Sequence, residues 1–147
     1  MIQRIQSLYL VLIMGLSAAL FVAPIYSLEL PIVVNGSVSI LPRFFYSTSN
    51  VVYTILDSLI FVMGLIILLL YKNRNLQVRL CNLNLFLICI FTGTIFYFAD
   101  HSKENAEATV HYLAGCYFPL IQLVLSVLAI RAIRKDEKLV RSADRLR

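Results

Sequence analysis

One acid lies inside an otherwise apolar run. Asp57 falls in the stretch Val51 to Tyr71. Counting from Tyr71 at the helical rise puts it ~21 Å from that end, about two thirds of the way through a ~30 Å hydrocarbon core. A carboxylate at such a depth must face protein, carry a proton or hold a partner. Arg43 and His111 are the ionisable side chains able to approach it from the same side, with Thr54 and Ser58 as hydrogen-bonding neighbours. Two chemistries fit Asp57 and His111 as intramembrane polar groups. One is a proton or cation relay, and the other a structural role, as a polar lock between helices or an acid near the outer water layer. A single carboxylate with no second buried charge makes a poor transport path, so the structural role is the stronger reading.

The other polar residues in apolar surroundings are Asn82, Asn84, Cys89, Thr92, Thr94, Gln122 and Ser126. Their types suit helix-to-helix hydrogen bonds better than substrate ligation. Gly15 and Ala19 form a small-xxx-small pair that permits close helix packing. Cys81, Cys89 and Cys116 form no CxxC and have no adjacent His, so the metal-ligand spacings are missing. Asp100, His101 and His111 make only a weak metal set. Nucleophile elbow, HExxH, P-loop and dinucleotide fingerprints are all absent from the sequence. No catalytic residue, metal site or cofactor is therefore expected, and the chain does not read as an enzyme.

The elements that would position these residues follow from composition. The chain has 147 residues, 60% hydrophobic and 14% charged, against roughly 45–50% and about 25% in soluble domains. Mean hydropathy is +0.83. A soluble globule of this size has too much surface to hide so many apolar side chains, so an all-α integral membrane protein is expected. Four apolar segments approach the ~20 residues a span needs: about 5–26, 51–71, 80–99 and 111–130. They predict a four-transmembrane-helix up-down bundle over residues 1–130. The apolar run of the first continues past Ser17-Ala18-Ala19 through Leu20-Phe21-Val22-Ala23, so it reads as a retained span and not a cleaved signal.

Eleven of the thirteen Lys and Arg residues fall before span one, between spans two and three, or after span four; only Arg43 and Lys103 fall on the other side. Basic residues collect on the cytoplasmic side, which places both termini there. The loop 27–50 then lies outside. In it, Asn35-Gly36 separates two β-branched runs, the strongest short signal for a β-hairpin. Pro31 and Pro42 confine its strands to edge positions. The second outer loop, Asp100 to Glu107, reads as a solvated turn.

The tail, residues 131–147, is strongly basic. At 100° per residue Arg134, Lys138, Arg141 and Arg145 line one narrow stripe, with Ala132, Leu139, Ala143 and Leu146 roughly opposite. This is an amphipathic helix pattern. It suits docking to a protein, contact with anionic lipid, or a simple extension of span four. Nucleic acid ranks last, because no aromatic residue follows Ile130 to stack on bases.

The two ends read together carry a resemblance. Met1-Ile2-Gln3-Arg4-Ile5-Gln6-Ser7-Leu8-Tyr9-Leu10 opens the chain, and the segment Arg131-Ala132-Ile133-Arg134-Lys135-Asp136-Glu137-Lys138-Leu139-Val140-Arg141 followed by Ser142-Ala143-Asp144-Arg145-Leu146-Arg147 closes it. The chain resembles a family of small four-span inner-membrane proteins of Bacteroidota known only as a domain of unknown function. The resemblance implies a multi-pass location in the bacterial inner (cytoplasmic) membrane and brings no activity or catalytic residue. Because its pattern sits at the cytoplasmic ends, it implies a protein that docks. The function expected is a non-catalytic accessory or assembly subunit of an inner-membrane complex. Gln3, Arg4, Arg134, Lys138, Arg141 and Arg145 would meet a partner subunit or the bilayer surface. The alternative is a small ion- or proton-coupled transporter or channel using Asp57.

Overall fold

A computed structural model describes the backbone of residues 3–34, 37–71, 73–106 and 109–144, and the side chains of 5–30, 40–71, 73–102 and 109–136. In chain order the elements are α1 (Gln3–Leu20), β1 (Tyr26–Val34), β2 (Ser37–Phe45), a 3₁₀ turn (Ser47–Ser49), α2 (Val51–Leu69), α3 (Arg74–Ala106), β3 (Thr109–Tyr112) and α4 (Ala114–Asp144).

The apolar runs become helices, but the ends fall elsewhere than the runs suggest. α1 stops at Leu20, short of the expected Tyr26. The N–H groups of Val22 and Ala23 both turn back to Ala19 O, and Pro24 disfavours helical backbone at Ala23. The chain then turns so that Tyr26 can enter a sheet. Asn50 caps α2, its side chain accepting from Val52 N at 3.0 Å, as an N-cap should. α3 and α4 extend well past the expected 80–99 and 111–130, because polar but helix-favouring residues continue each apolar run. Polarity marks where a span ends, not where a helix does. Residues 70–73 join α2 to α3, a link short enough to make them antiparallel neighbours.

Each helix buries a heptad seam. The buried positions are Gln6, Leu10, Ile13, Ser17 and Leu20 on α1, and Tyr53, Asp57, Ile60, Gly64 and Ile67 on α2. On α3 they are Gln77, Cys81, Asn84, Ile88, Phe91, Ile95 and Ala99, and on α4 the seam is Gln122, Ser126, Ala129 and Ile133, with Gly115, Cys116, Pro119 and Ile130 also buried. Alternating steps of four and three are the spacing of knobs-into-holes packing in a four-helix bundle. The helices form a ring in which α1 touches α2 and α4, and α3 touches α2 and α4. The Gln6 amide Nε2 donates to Ala132 O at 3.2 Å, so the start of α1 lies beside the far part of α4. Both described chain ends therefore share one end of the bundle, here termed the tail end.

At the opposite end lies an antiparallel sheet of order β2-β1-β3. The expected hairpin is present, and the pair Val34↔Ser37 closes it. Its turn, Asn35-Gly36, is outside the described residues. Pro42 lies on β2, at the sheet's edge, and Pro31 lies beyond Glu29↔Thr109, where that side of β1 is open. Neither proline breaks a ladder. The second outer loop departs from expectation twice: residues 100–106, expected as a solvated turn, continue α3, and β3 takes up Thr109–Tyr112, where the end of the connection and the start of span four are expected. β3 pairs Tyr26↔Tyr112, Ser27↔His111, Leu28↔Val110 and Glu29↔Thr109, drawing the α3–α4 connection onto the hairpin.

Among the described residues, three helices are long and apolar enough to cross a membrane: Val51–Leu69, Arg74–Ser102 and Ala114–Asp136. The apolar part of α1, Ile5–Leu20, is shorter. Large side chains such as Ile55, Phe86 and Val124 point outward and are 58%, 62% and 61% exposed. With a mostly apolar core holding a few polar side chains and large apolar groups also covering the outside, the bundle is that of a membrane protein.

Candidate functional site

A series of polar side chains runs through the interior from the sheet end to the tail end. Asp57 lies at its head, about 9 Å along α2 from the first residue at the helical rise, and is fully buried. Ser47 Oγ donates to Asp57 Oδ2 at 3.0 Å. Ser47 is itself fully buried. Its segment is pinned by Thr54 Oγ1, which donates to Ser47 O at 2.9 Å and to Asn50 O at 3.1 Å. From α1 the Ser17 hydroxyl is a second neighbour of the carboxylate. Ser17 Oγ in turn accepts from Gln122 Nε2 at 3.0 Å, and the same amide donates to Ile13 O at 3.1 Å. Four elements thus meet through one hydrogen-bonded cluster: the 3₁₀ turn, α2, α1 and α4.

Further toward the tail end, Asn84 of α3 and Ser126 of α4 line an interior gap of about 160 Å³ with Leu10, Ile13, Cys81 and Ala129, too tight for a water molecule. Beyond it Gln77 Nε2 donates to Ile67 O at 3.2 Å, and Arg74 pairs with Asp136 at 3.0 Å. Among the described residues, Asp57 Oδ1, Gln122 Oε1, Asn84 Oδ1 and Ser126 Oγ are buried without a hydrogen-bond partner. Buried oxygens normally have partners, so these four mark where the interior can still accept something.

Several residues lie apart from the cluster. His111 belongs to β3, not to a membrane helix. Its Nε2 is 3.6 Å from Glu29 Oε2, and Thr109 Oγ1 donates to the same oxygen at 3.4 Å. Arg43 sits over the Phe45 ring at 5.4 Å. Ser58 shares an outward groove with Thr54, Ile55, Leu59 and Val62. Partial burial, with the Asp100 carboxylate nearby, pushes the Tyr112 phenol up. Thr92 and Thr94 bond back within their own helix, to Ile88 O and Phe91 O, whereas Gln122 crosses between helices as its type suggests. Gly15 has nothing within 4 Å; the close α1–α2 approach uses Gly64 against Met14.

Arg134 is exposed on α4. Lys138 and Arg141 fall within α4 and Gln3 and Arg4 within α1, but their side chains, and all of Arg145, lie outside the described residues. Among the described residues no three His, Cys, Asp or Glu side chains gather as metal ligands. The three thiols are unbridged.

Ser17 and Ser47, the hydroxyls beside Asp57, are not singled out by sequence reading. Ser17 had a usable signal, because it completes the seam Gln6, Leu10, Ile13, Ser17, Leu20. Ser47 had none, since it depends on a loop folding back onto the bundle.

The architecture defines a small helical membrane protein with a capping sheet and a few polar groups buried in an apolar core. Residues 2–146 match the family model described as a domain of unknown function, DUF4293, and the chain belongs to that family. No curated protein matches the chain, and no solved structure does.

Proposed function

We propose that the protein is a non-catalytic accessory or assembly subunit of a bacterial inner-membrane complex, inserted as four spans with both ends in the cytoplasm and docking through its basic tail. One observation supports this most directly. α4 continues without interruption from its apolar span into the basic segment, as far as Asp144. The helical register carries Arg134, Lys138 and Arg141 along one face, and Arg145 continues the pattern in sequence. The arm has a fixed base, because Arg74 and Gln6 tie α4 to α3 and α1 at Asp136 and Ala132. A rigidly mounted charged stripe suits a preformed protein surface, since little ordering cost is left to meet on binding. The experiment is charge reversal of Arg134, Lys138, Arg141 and Arg145 to Glu in the full chain. Partner recovery after mild detergent extraction should fall at least tenfold, with insertion and folding unchanged. Undiminished recovery would overturn the docking role.

A second reading, a small proton- or ion-coupled transporter, draws support from the unpartnered oxygen of Asp57. It ranks below the first because the interior gap below Asp57 is too tight for water. It requires that Asp57→Asn abolish flux in liposomes while leaving the protein folded.

A further inference from the structure

The four unpartnered oxygens fall into two unlike pairs. Asn84 Oδ1 and Ser126 Oγ line the same narrow gap. One is an acceptor and the other carries a hydroxyl hydrogen, so a small side-chain shift satisfies both with nothing added. Asp57 Oδ1 and Gln122 Oε1 are different. Both are acceptors, and both belong to side chains that meet Ser17: the Gln122 amide donates to its hydroxyl oxygen through Nε2, and the Asp57 carboxylate has that hydroxyl as a neighbour.

The hydrogens near that second pair can be assigned one by one. The Ser47 hydroxyl gives its hydrogen to Asp57 Oδ2. The two hydrogens of the Gln122 amide go to Ile13 O and Ser17 Oγ. Only the Ser17 hydroxyl hydrogen remains. Two buried oxygens share one hydrogen, so the cluster is one donor short. The charge is unbalanced as well. The side chains acting on the carboxylate are the two serines, and no charged group is among them. The 3₁₀ turn brings only Ser and Thr. Around Tyr53 of α2 the titratable groups are Tyr26 of β1, Tyr112 of β3 and Cys116 of α4, none of them a base that could neutralise an anion. The bases of the sheet, Arg43 and His111, are engaged elsewhere, with the Phe45 ring and the Glu29 carboxylate. An isolated carboxylate in an apolar interior is strongly disfavoured.

A single added proton removes both faults. We infer that Asp57 is a buried proton-binding site, a neutral carboxylic acid whose own O–H supplies the missing donor of the Ser47–Asp57–Ser17–Gln122 cluster. A sodium ion needs several oxygen ligands, and beyond the two unpartnered oxygens it would have to take ones already engaged in the Ser47 and Gln122 bonds, whereas a proton adds only what is lacking. The proton therefore helps to hold the 3₁₀ turn, and with it the sheet, on the bundle. This inference is independent of the docking role and would give the transport reading its ion.

The test is infrared spectroscopy of the full chain reconstituted in liposomes at neutral pH. The C=O stretch of a protonated carboxyl should be present, shift in D₂O and disappear in Asp57→Asn. Because that variant could fold poorly, a ¹³C-aspartate-labelled sample of the unaltered chain is read by solid-state NMR beside Asp57→Glu, which keeps a carboxyl. One protonated-aspartate signal should appear in the first and be lost in the second. Absence of both the band and the signal overturns the inference. Loss of the band on adding sodium at constant pH overturns the proton in favour of the metal cation. Reversal of the tail charges should leave the band untouched, so failure of docking and failure of this site are separable.

Discussion

Gly115 shows how little room the sheet end leaves. A methyl group there would lie 2.7 Å from Pro24 O, 3.0 Å from Pro24 C and 3.1 Å from Ile25 Cα. All three are backbone atoms, and Gly115 N–H also donates to Pro24 O at 3.1 Å. Neither partner can rotate away, so Gly115→Ala should destabilise the protein by about 1–3 kcal/mol, read as denaturant-induced unfolding in detergent. Gly64→Ala is a useful contrast. Its methyl would meet Met14 Cγ at 2.9 Å, the middle of a flexible side chain that can re-pack, so it should cost clearly less than Gly115→Ala in the same assay. Ser47→Ala removes the hydroxyl that donates to Asp57 Oδ2 and leaves another buried oxygen unpartnered. A loss of roughly 1–3 kcal/mol is expected, with Ser47→Thr, which retains a hydroxyl, closer to the unaltered chain. If Ser47→Ala proved neutral, the contact would not be a lock.

At the scale of elements, the tail end is fastened by the Arg74–Asp136 pair, whose side chains are 30% and 14% exposed. Partial solvent access screens such a pair, so a double-mutant cycle with Arg74→Ala and Asp136→Ala should return a coupling of at most about 1 kcal/mol. A larger value would mean that the pair sets the angle of the α4 arm rather than merely decorating it. The elements also show what can be read from sequence. Apolar runs fill the membrane whatever the tertiary detail, so α2, α3 and α4 are visible from composition alone. Asn35-Gly36 announces β1 and β2 because few residues tolerate that turn. β3 is hidden, since Thr109–Tyr112 has four residues, abuts the apolar start of α4, and owes its conformation to pairing with Tyr26–Glu29. The early end of α1 is hidden for a related reason. Phe21, Val22 and Ala23 are as apolar as any helix interior, and although Pro24 marks a nearby stop, it is the delivery of Tyr26 to the sheet that fixes the turn there. For the same reason Asp57 stands out in the sequence while its partners do not. A charge in an apolar run is a local fact, and the folding of Ser47 onto it is not.

For the whole molecule, the deciding question is whether α1 crosses the membrane. At 18 residues it spans about 27 Å, slightly less than a ~30 Å core, and it falls outside the three helices long enough by themselves. Its packing supports the proposal that it crosses with them. Gln6 meets Ala132 at the tail end and Ser17 meets Gln122 in the Asp57 cluster, so α1 runs alongside α4 for most of its length and leads into the sheet opposite. A bilayer thins locally around a slightly short helix at modest cost, whereas leaving the Gln6 to Leu20 seam unburied would expose the polar face of the interior to lipid. The proposed four crossings would put both termini on the side away from the sheet, which the distribution of Lys and Arg would then assign to the cytoplasm. Impermeant maleimide labelling distinguishes the arrangements in a chain lacking its native cysteines. Thr48→Cys, exposed beside the sheet, should label in intact spheroplasts, while Ser7→Cys and Arg134→Cys should label only in inverted vesicles. Labelling of Ser7→Cys in spheroplasts with Arg134→Cys protected would reduce the crossings to three. It would also remove Ser17 and Gln6 from the interior, so the same result would dismantle the polar cluster and the arm's anchoring together.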